Sequence, residues 1–115
     1  MITRRLALAS FAAAAVARPA KAHDTNVYAI AGSYTAYGMN ADGSTYSGQV
    51  QIIQNGNAVQ VYWNVGGQNY SGQGLVQGQV VTVDWGASTP VIYVLVGNEL
   101  HGTWDNGRAL ERLVP

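Results

Sequence analysis

From residue 40 onward a turn signal recurs about every ten residues, and the stretches between signals alternate in the manner of β-strands. The signals are Asp42-Gly43, Asn55-Gly56, Gly66-Gly67, Gln77-Gly78, the 86–90 loop, Gly97-Asn98 and Asn106-Gly107. Such pairs reverse a chain between antiparallel strands, because Gly, Asn and Asp tolerate the backbone angles that a tight turn requires. Seven reversals imply eight short strands, the first placed at about residues 26–34.

Two-residue turns fix the pairing register, so the inward faces can be aligned. Around Asn55-Gly56, Ile52 is set opposite Val59, Val50 opposite Val61 and Gly48 opposite Trp63. Around Gly66-Gly67, Trp63 meets Tyr70 and Val61 meets Gly72. Around Gln77-Gly78, Tyr70 is set opposite Trp85, Gly72 opposite Val83 and Gly74 opposite Val81. In the C-terminal half, Leu95 faces Leu100, Tyr93 faces Gly102 and Val91 faces Trp104; Leu100 then faces Leu113, Gly102 faces Glu111 and Trp104 faces Ala109. The opposite faces are polar and mostly uncharged, as in Ser47, Gln49 and Gln51 or Gln60, Tyr62 and Asn64.

A meander of eight strands with one apolar face is most simply satisfied by pairing strand eight with strand one, which removes both edges. The expected fold is therefore all-β, a small antiparallel eight-stranded up-and-down barrel, with a two-sheet β-sandwich as the alternative. Inward glycines stand beside inward aromatics (Gly32 and Tyr34, Tyr46 and Gly48, Tyr70 and Gly72, Gly102 and Trp104). That pattern suits rings covering glycines where a small barrel bends, and the expectation is an interior filled by side chains. Trp63, Tyr70, Trp85 and Trp104 are the expected core aromatics.

The first 22 residues read as a cleavable signal peptide: Arg4-Arg5, an alanine-rich run over residues 6–17, and Ala20-Lys21-Ala22 as an A-x-A cleavage site. The run is shorter than the ~20 residues of a membrane-spanning helix. Thr3-Arg4-Arg5-Leu6-Ala7-Leu8 resembles a twin-arginine signal; the general secretory route is the alternative. Residues 23–115 would then form a single exported domain, periplasmic or secreted. Removing the signal leaves Arg108 and Arg112 against six acidic side chains, a net charge of −4. A lysine-free acidic domain lacks the electrostatic footprint for nucleic acid or an anionic membrane. The chain has no cysteine, which excludes disulfides and thiolate metal sites.

Glu111 is the one ionisable group that the register turns inward, in a row with Gly102 and Tyr93. A buried carboxylate needs hydrogen-bond donors, so Glu111 and Tyr93 are expected as a buried polar tie or a ligand anchor. Strand six is apolar on both faces, which leaves Ile92, Val94 and Val96 outside as a candidate partner-binding stripe. His23, first after cleavage, and His101, facing outward between Val94 and Arg112, are the only histidines. An N-terminal histidine can bind copper through its amine and ring, but nothing in the sequence brings His101 near it, so no metal site and no cofactor are expected. No nucleophile elbow, phosphate loop or adjacent His–carboxylate pair is present, so no catalytic residues are assigned and enzymatic activity is not expected.

The chain resembles a family of small exported bacterial proteins labelled fibronectin-binding. The resemblance runs through Gly43-Ser44-Thr45-Tyr46-Ser47-Gly48, Tyr70-Ser71-Gly72-Gln73-Gly74, Val83-Asp84-Trp85-Gly86, Pro90-Val91-Ile92-Tyr93, Leu100-His101-Gly102-Thr103-Trp104 and residues 107–113. It implies adhesion to a host matrix protein such as fibronectin. Leu100-x-Gly-x-Trp104 also resembles the Gly-x-Trp element of lipocalin and avidin-like barrels, which supports barrel geometry. The expected function is thus a non-enzymatic binding module for a protein partner. A small-ligand carrier, or an inhibitor of a secreted enzyme acting through the barrel mouth or loops, is the alternative.

Overall fold

The computed structural model describes residues 27–115; the expected signal peptide and His23 lie outside them. Eight strands follow one another: β1 (Gly32–Met39), β2 (Thr45–Asn55), β3 (Ala58–Val65), β4 (Gln68–Gln77), β5 (Val80–Asp84), β6 (Val91–Val96), β7 (Glu99–Trp104) and β8 (Ala109–Val114). Each pairs antiparallel with the next, and β8 pairs with β1, so the sheet closes into an up-and-down barrel. Among the described residues no helix is long and apolar enough to cross a membrane.

The expected register holds at Gly66-Gly67, Gly97-Asn98 and Asn106-Gly107, where Trp63 pairs with Tyr70, Leu95 with Leu100 and Gly102 with Glu111. It slips by two residues at the other two tight turns. Val50 lies opposite Trp63 and Gly48 opposite Val65, while Gly74 lies opposite Val83. The cause is turn chemistry. The loop residues are Gly56-Asn57 and Gly78-Gln79, with glycine first at φ 62° and 60° and no left-handed residue after it. That is the type II′ pattern, whereas reading Asn55-Gly56 as the loop assumes a type I′ turn. Because side chains alternate with period two, the slip leaves every inward residue inward.

The first strand begins later than expected, at Gly32 and not residue 26, and runs to Met39. The residues before it close one end of the barrel. Ile30 is buried, its carbonyl accepts from the Tyr34 hydroxyl at 2.7 Å, and its amide donates to Gln54 Oε1 at 2.8 Å. Gln54 Nε2 donates in turn to the carbonyls of Tyr28 and Gly56. One glutamine thus satisfies the backbone of a plug that has no strand partner, and backbone groups in such a place otherwise go unpaired at a cost. Above the plug lie Ile52, Val59, Val76, Leu100 and Leu113, all buried. The interior is filled from this end up to Trp63 and Tyr93 and keeps a cavity at the other, which corrects the expectation of a barrel filled throughout.

Glycines set the curvature of the opposite wall. A Cβ at Gly48 would strike the backbone of Asn64 and Val65, and one at Gly74 the backbone of Thr82 and Val83. Neighbouring strands can approach this closely only where one of them carries no side chain.

Candidate functional site

The open end is formed by the 40–44 loop, the Gly66-Gly67 turn, the 85–90 loop and the 105–108 turn. Below it one inward row crosses four strand pairs, in the order Tyr46, Gly38, Glu111, Gly102, Tyr93. The row is symmetrical about the carboxylate. With glycine on either side of Glu111, the two tyrosines fold over the bare backbone and reach it. The rings lie where a Cβ at Gly38 or Gly102 would otherwise stand.

Both carboxylate oxygens accept hydrogen bonds. Tyr46 donates to Glu111 Oε1 at 2.8 Å; Tyr93 and the Trp63 indole donate to Oε2 at 2.5 and 3.0 Å. Trp63 Nε1 also donates to the Tyr93 oxygen, and Trp104 Nε1 to the Tyr46 oxygen, both at 3.0 Å. An indole can only donate. Each therefore takes the acceptor side of a phenol and leaves the phenol's proton for Glu111. Burial, and after it the charge of Glu111, push both phenols well above the usual tyrosine range.

Above this network is a cavity of about 310 Å³ lined by Tyr46, Trp63, Tyr70, Trp85, Trp104 and Glu111, with Asn40 and Gln68 at its edge. Its aromatic rings form a sequence of edge contacts. Tyr70 and Trp85 have centroids 5.9 Å apart, Trp85 and Trp104 5.8 Å, and Tyr46 and Trp104 6.3 Å, with interplanar angles of 75°, 85° and 64°. Trp85 is further fixed by its indole, which donates to the carbonyl of Thr89 in the adjoining loop.

Of the four aromatics expected in the core, Trp63 is buried, Trp85 and Trp104 are half-buried, and Tyr70 is 39 % exposed. All face inward, but the last three stand at the unfilled end and line a mouth, so Tyr70 in particular is not a core residue. Glu111 and Tyr93 are buried together as expected. Tyr46 and Gly38 are the members of the row that sequence reasoning did not assign. The late start of β1 is what brings Gly38 opposite both Tyr46 and Glu111.

Ile92, Val94 and Val96 do face outward, at 40 %, 43 % and 50 % exposure. His101 lies on the outer surface, where it contacts Glu99 at 2.8 Å. Asp105 pairs with Arg108 at 2.8 Å across the last turn. Among the described residues no three His, Cys, Asp or Glu side chains gather into a metal-binding group.

The geometry defines a one-mouthed β-barrel with an aromatic cup over a buried carboxylate. No protein-family model, curated protein or solved structure matches the chain.

Proposed function

We propose that the protein is an exported, non-enzymatic binding module that takes a small ligand into the cup. The observation that carries this reading is the asymmetry of the barrel. One end is plugged by Ile30, while the other keeps a cavity of about 310 Å³ walled by aromatic rings. Small-molecule sites are concave, mostly apolar and lined by a few placed polar groups, and eight-stranded barrels are among the folds that hold them at the mouth. Glu111 supplies the placed polar group. The test is thermal stabilisation and tryptophan fluorescence of the purified protein against water-soluble cations, anions and neutral aromatics of fewer than about fifteen heavy atoms. Saturable binding that is lost in Trp104→Leu supports the cup. A set in which nothing binds, or binding unaffected by Trp104→Leu, overturns it.

A second reading rests on the outer surface. Leu75, Ile92, Leu110 and Met39 are exposed and follow one another around the barrel through Thr82 and Thr103, with Val80, Val94 and Val96 alongside. Contiguous exposed apolar residues mark protein contact surfaces. In this reading the partner is a host matrix protein such as fibronectin, as the family resemblance implies. A closed barrel offers no free strand edge for β-addition, so the partner would lie across the face. Binding to immobilised fibronectin that is lost in a folded Ile92→Asp/Val94→Asp variant supports it, and binding no stronger than that of an unrelated barrel overturns it.

A further inference from the structure

Among the described residues Glu111 has hydrogen-bond donors but no counter-charge. It is 5 % exposed, and the ion pairs among the described residues are Glu99 with His101, Glu99 with Arg112 and Asp105 with Arg108. Buried carboxylates are ordinarily paired, because withdrawing a charge from water costs more than neutral donors return. This one also lines the cavity at the open end of the barrel.

The loops around the mouth carry a net charge of the same sign. Asp42 lies in the 40–44 loop, Asp84 ends β5 and Asp105 begins the last turn, with Arg108 held by Asp105 as the single base at that end among the described residues. The hydroxyl and amide of Ser44 both donate to Asp42, at 2.6 and 2.9 Å, and hold its carboxyl below the usual range. Three carboxylates against one paired arginine leave the loops around the opening net acidic, which favours cationic ligands over anionic ones.

Resting on the cup as a binding site, we infer that its ligand is a small organic cation, an ammonium centre on a compact apolar body. Five aromatic side chains line the walls, four of them in edge contacts at steep angles, and a cation within about 6 Å of such a ring is attracted by its quadrupole. The base is a carboxylate that has no counter-ion among the described residues. An inorganic cation is not suited to the site. Such ions need several oxygen ligands, and both oxygens of Glu111 already accept from Tyr46, Tyr93 and Trp63. A weakly hydrated ammonium needs no direct oxygen contact and loses little on entering an aromatic enclosure.

The inference is tested with three probes of like shape on the unaltered protein: phenyltrimethylammonium, uncharged tert-butylbenzene and anionic benzenesulfonate. Tryptophan fluorescence should report saturable binding of the cation, at least about tenfold weaker binding of the neutral isostere, and none of the anion. Glu111→Gln should reduce cation affinity by about tenfold and so narrow the preference for the cation over the neutral probe. Because the three probes are compared on the unaltered chain, a poorly folded variant does not leave the question open. Equal or tighter binding of tert-butylbenzene overturns the inference while leaving the cup as a binding site. Binding of none of the three also overturns the inference, and the broader ligand set described above then decides whether the cup binds anything.

Discussion

Gly38 and Tyr46 face each other across the β1–β2 pair, and the tyrosine ring fills the space that a side chain on Gly38 would occupy. The phenol reaches Glu111 only because that space is vacant. Gly38→Ala should therefore act through the tip of a movable side chain, displacing the Tyr46 hydroxyl from Glu111 at a cost of about 1–2 kcal/mol. Gly48→Ala should cost more, since its Cβ would strike the backbone of β3, which cannot step aside. Urea denaturation of the two variants checks the order, and equal costs would contradict it.

Trp63 is the indole that joins the filled part of the barrel to the carboxylate network. Trp63→Ala should destabilise the domain by ~3–5 kcal/mol, as expected for a buried aromatic. Trp63→Phe keeps most of the apolar volume and removes only the donor, so it should cost less. If the alanine variant unfolds at the same urea concentration as the parent, the inward face has been misassigned.

Alkaline pH should weaken the fold through the tyrosines. Burial and Glu111 hold Tyr93 well above the ordinary phenol value of 10.0, and Tyr46 likewise. Below pH 10 folded and unfolded chains both keep these protons. Above it the unfolded chain releases them first, so stability is lost as pH rises toward the folded values. No lysine follows residue 21, which leaves tyrosine as the main side chain titrating there. The urea midpoint should fall above pH 10, and Tyr93→Phe should make that fall shallower; identical slopes would contradict the assignment.

Gln54→Ala should loosen the plug, because it removes the acceptor for Ile30 N and the donor to Tyr28 and Gly56. The expected cost is ~1–3 kcal/mol, with faster hydrogen exchange at residues 28–31 than in the β3–β4 hairpin. By contrast Gln49→Ala, on the exposed face of β2, should change stability by less than about 0.5 kcal/mol.

The barrel and its inward face were legible in the sequence because period-two alternation survives errors in register. The misplaced turns at residues 56–57 and 78–79 moved partners by two residues and reversed no side chain. What alternation could not reveal was where the first strand begins. Gly32 and Gly38 bracket Tyr34, Ala36 and Tyr37 and punctuate the segment like turns, while residues 27–31 carry enough apolar side chains to pass for a strand. That one displacement hid both the plug and the Gly38–Tyr46 pair. It also hid the cup, since depth at one end follows from closure at the other. Register alone turns Glu111 inward, because its partner Gly102 lies across the Asn106-Gly107 turn, where the structure keeps the expected pairing.

Residues 27–31 close the end of the barrel away from the cup, and β8 runs from the 105–108 turn toward that same closed end. Residues 27 and 115 thus leave the domain on one side. A surface or fusion partner joined through either of them would hold the barrel by its base, with the aromatic opening directed toward the surrounding medium.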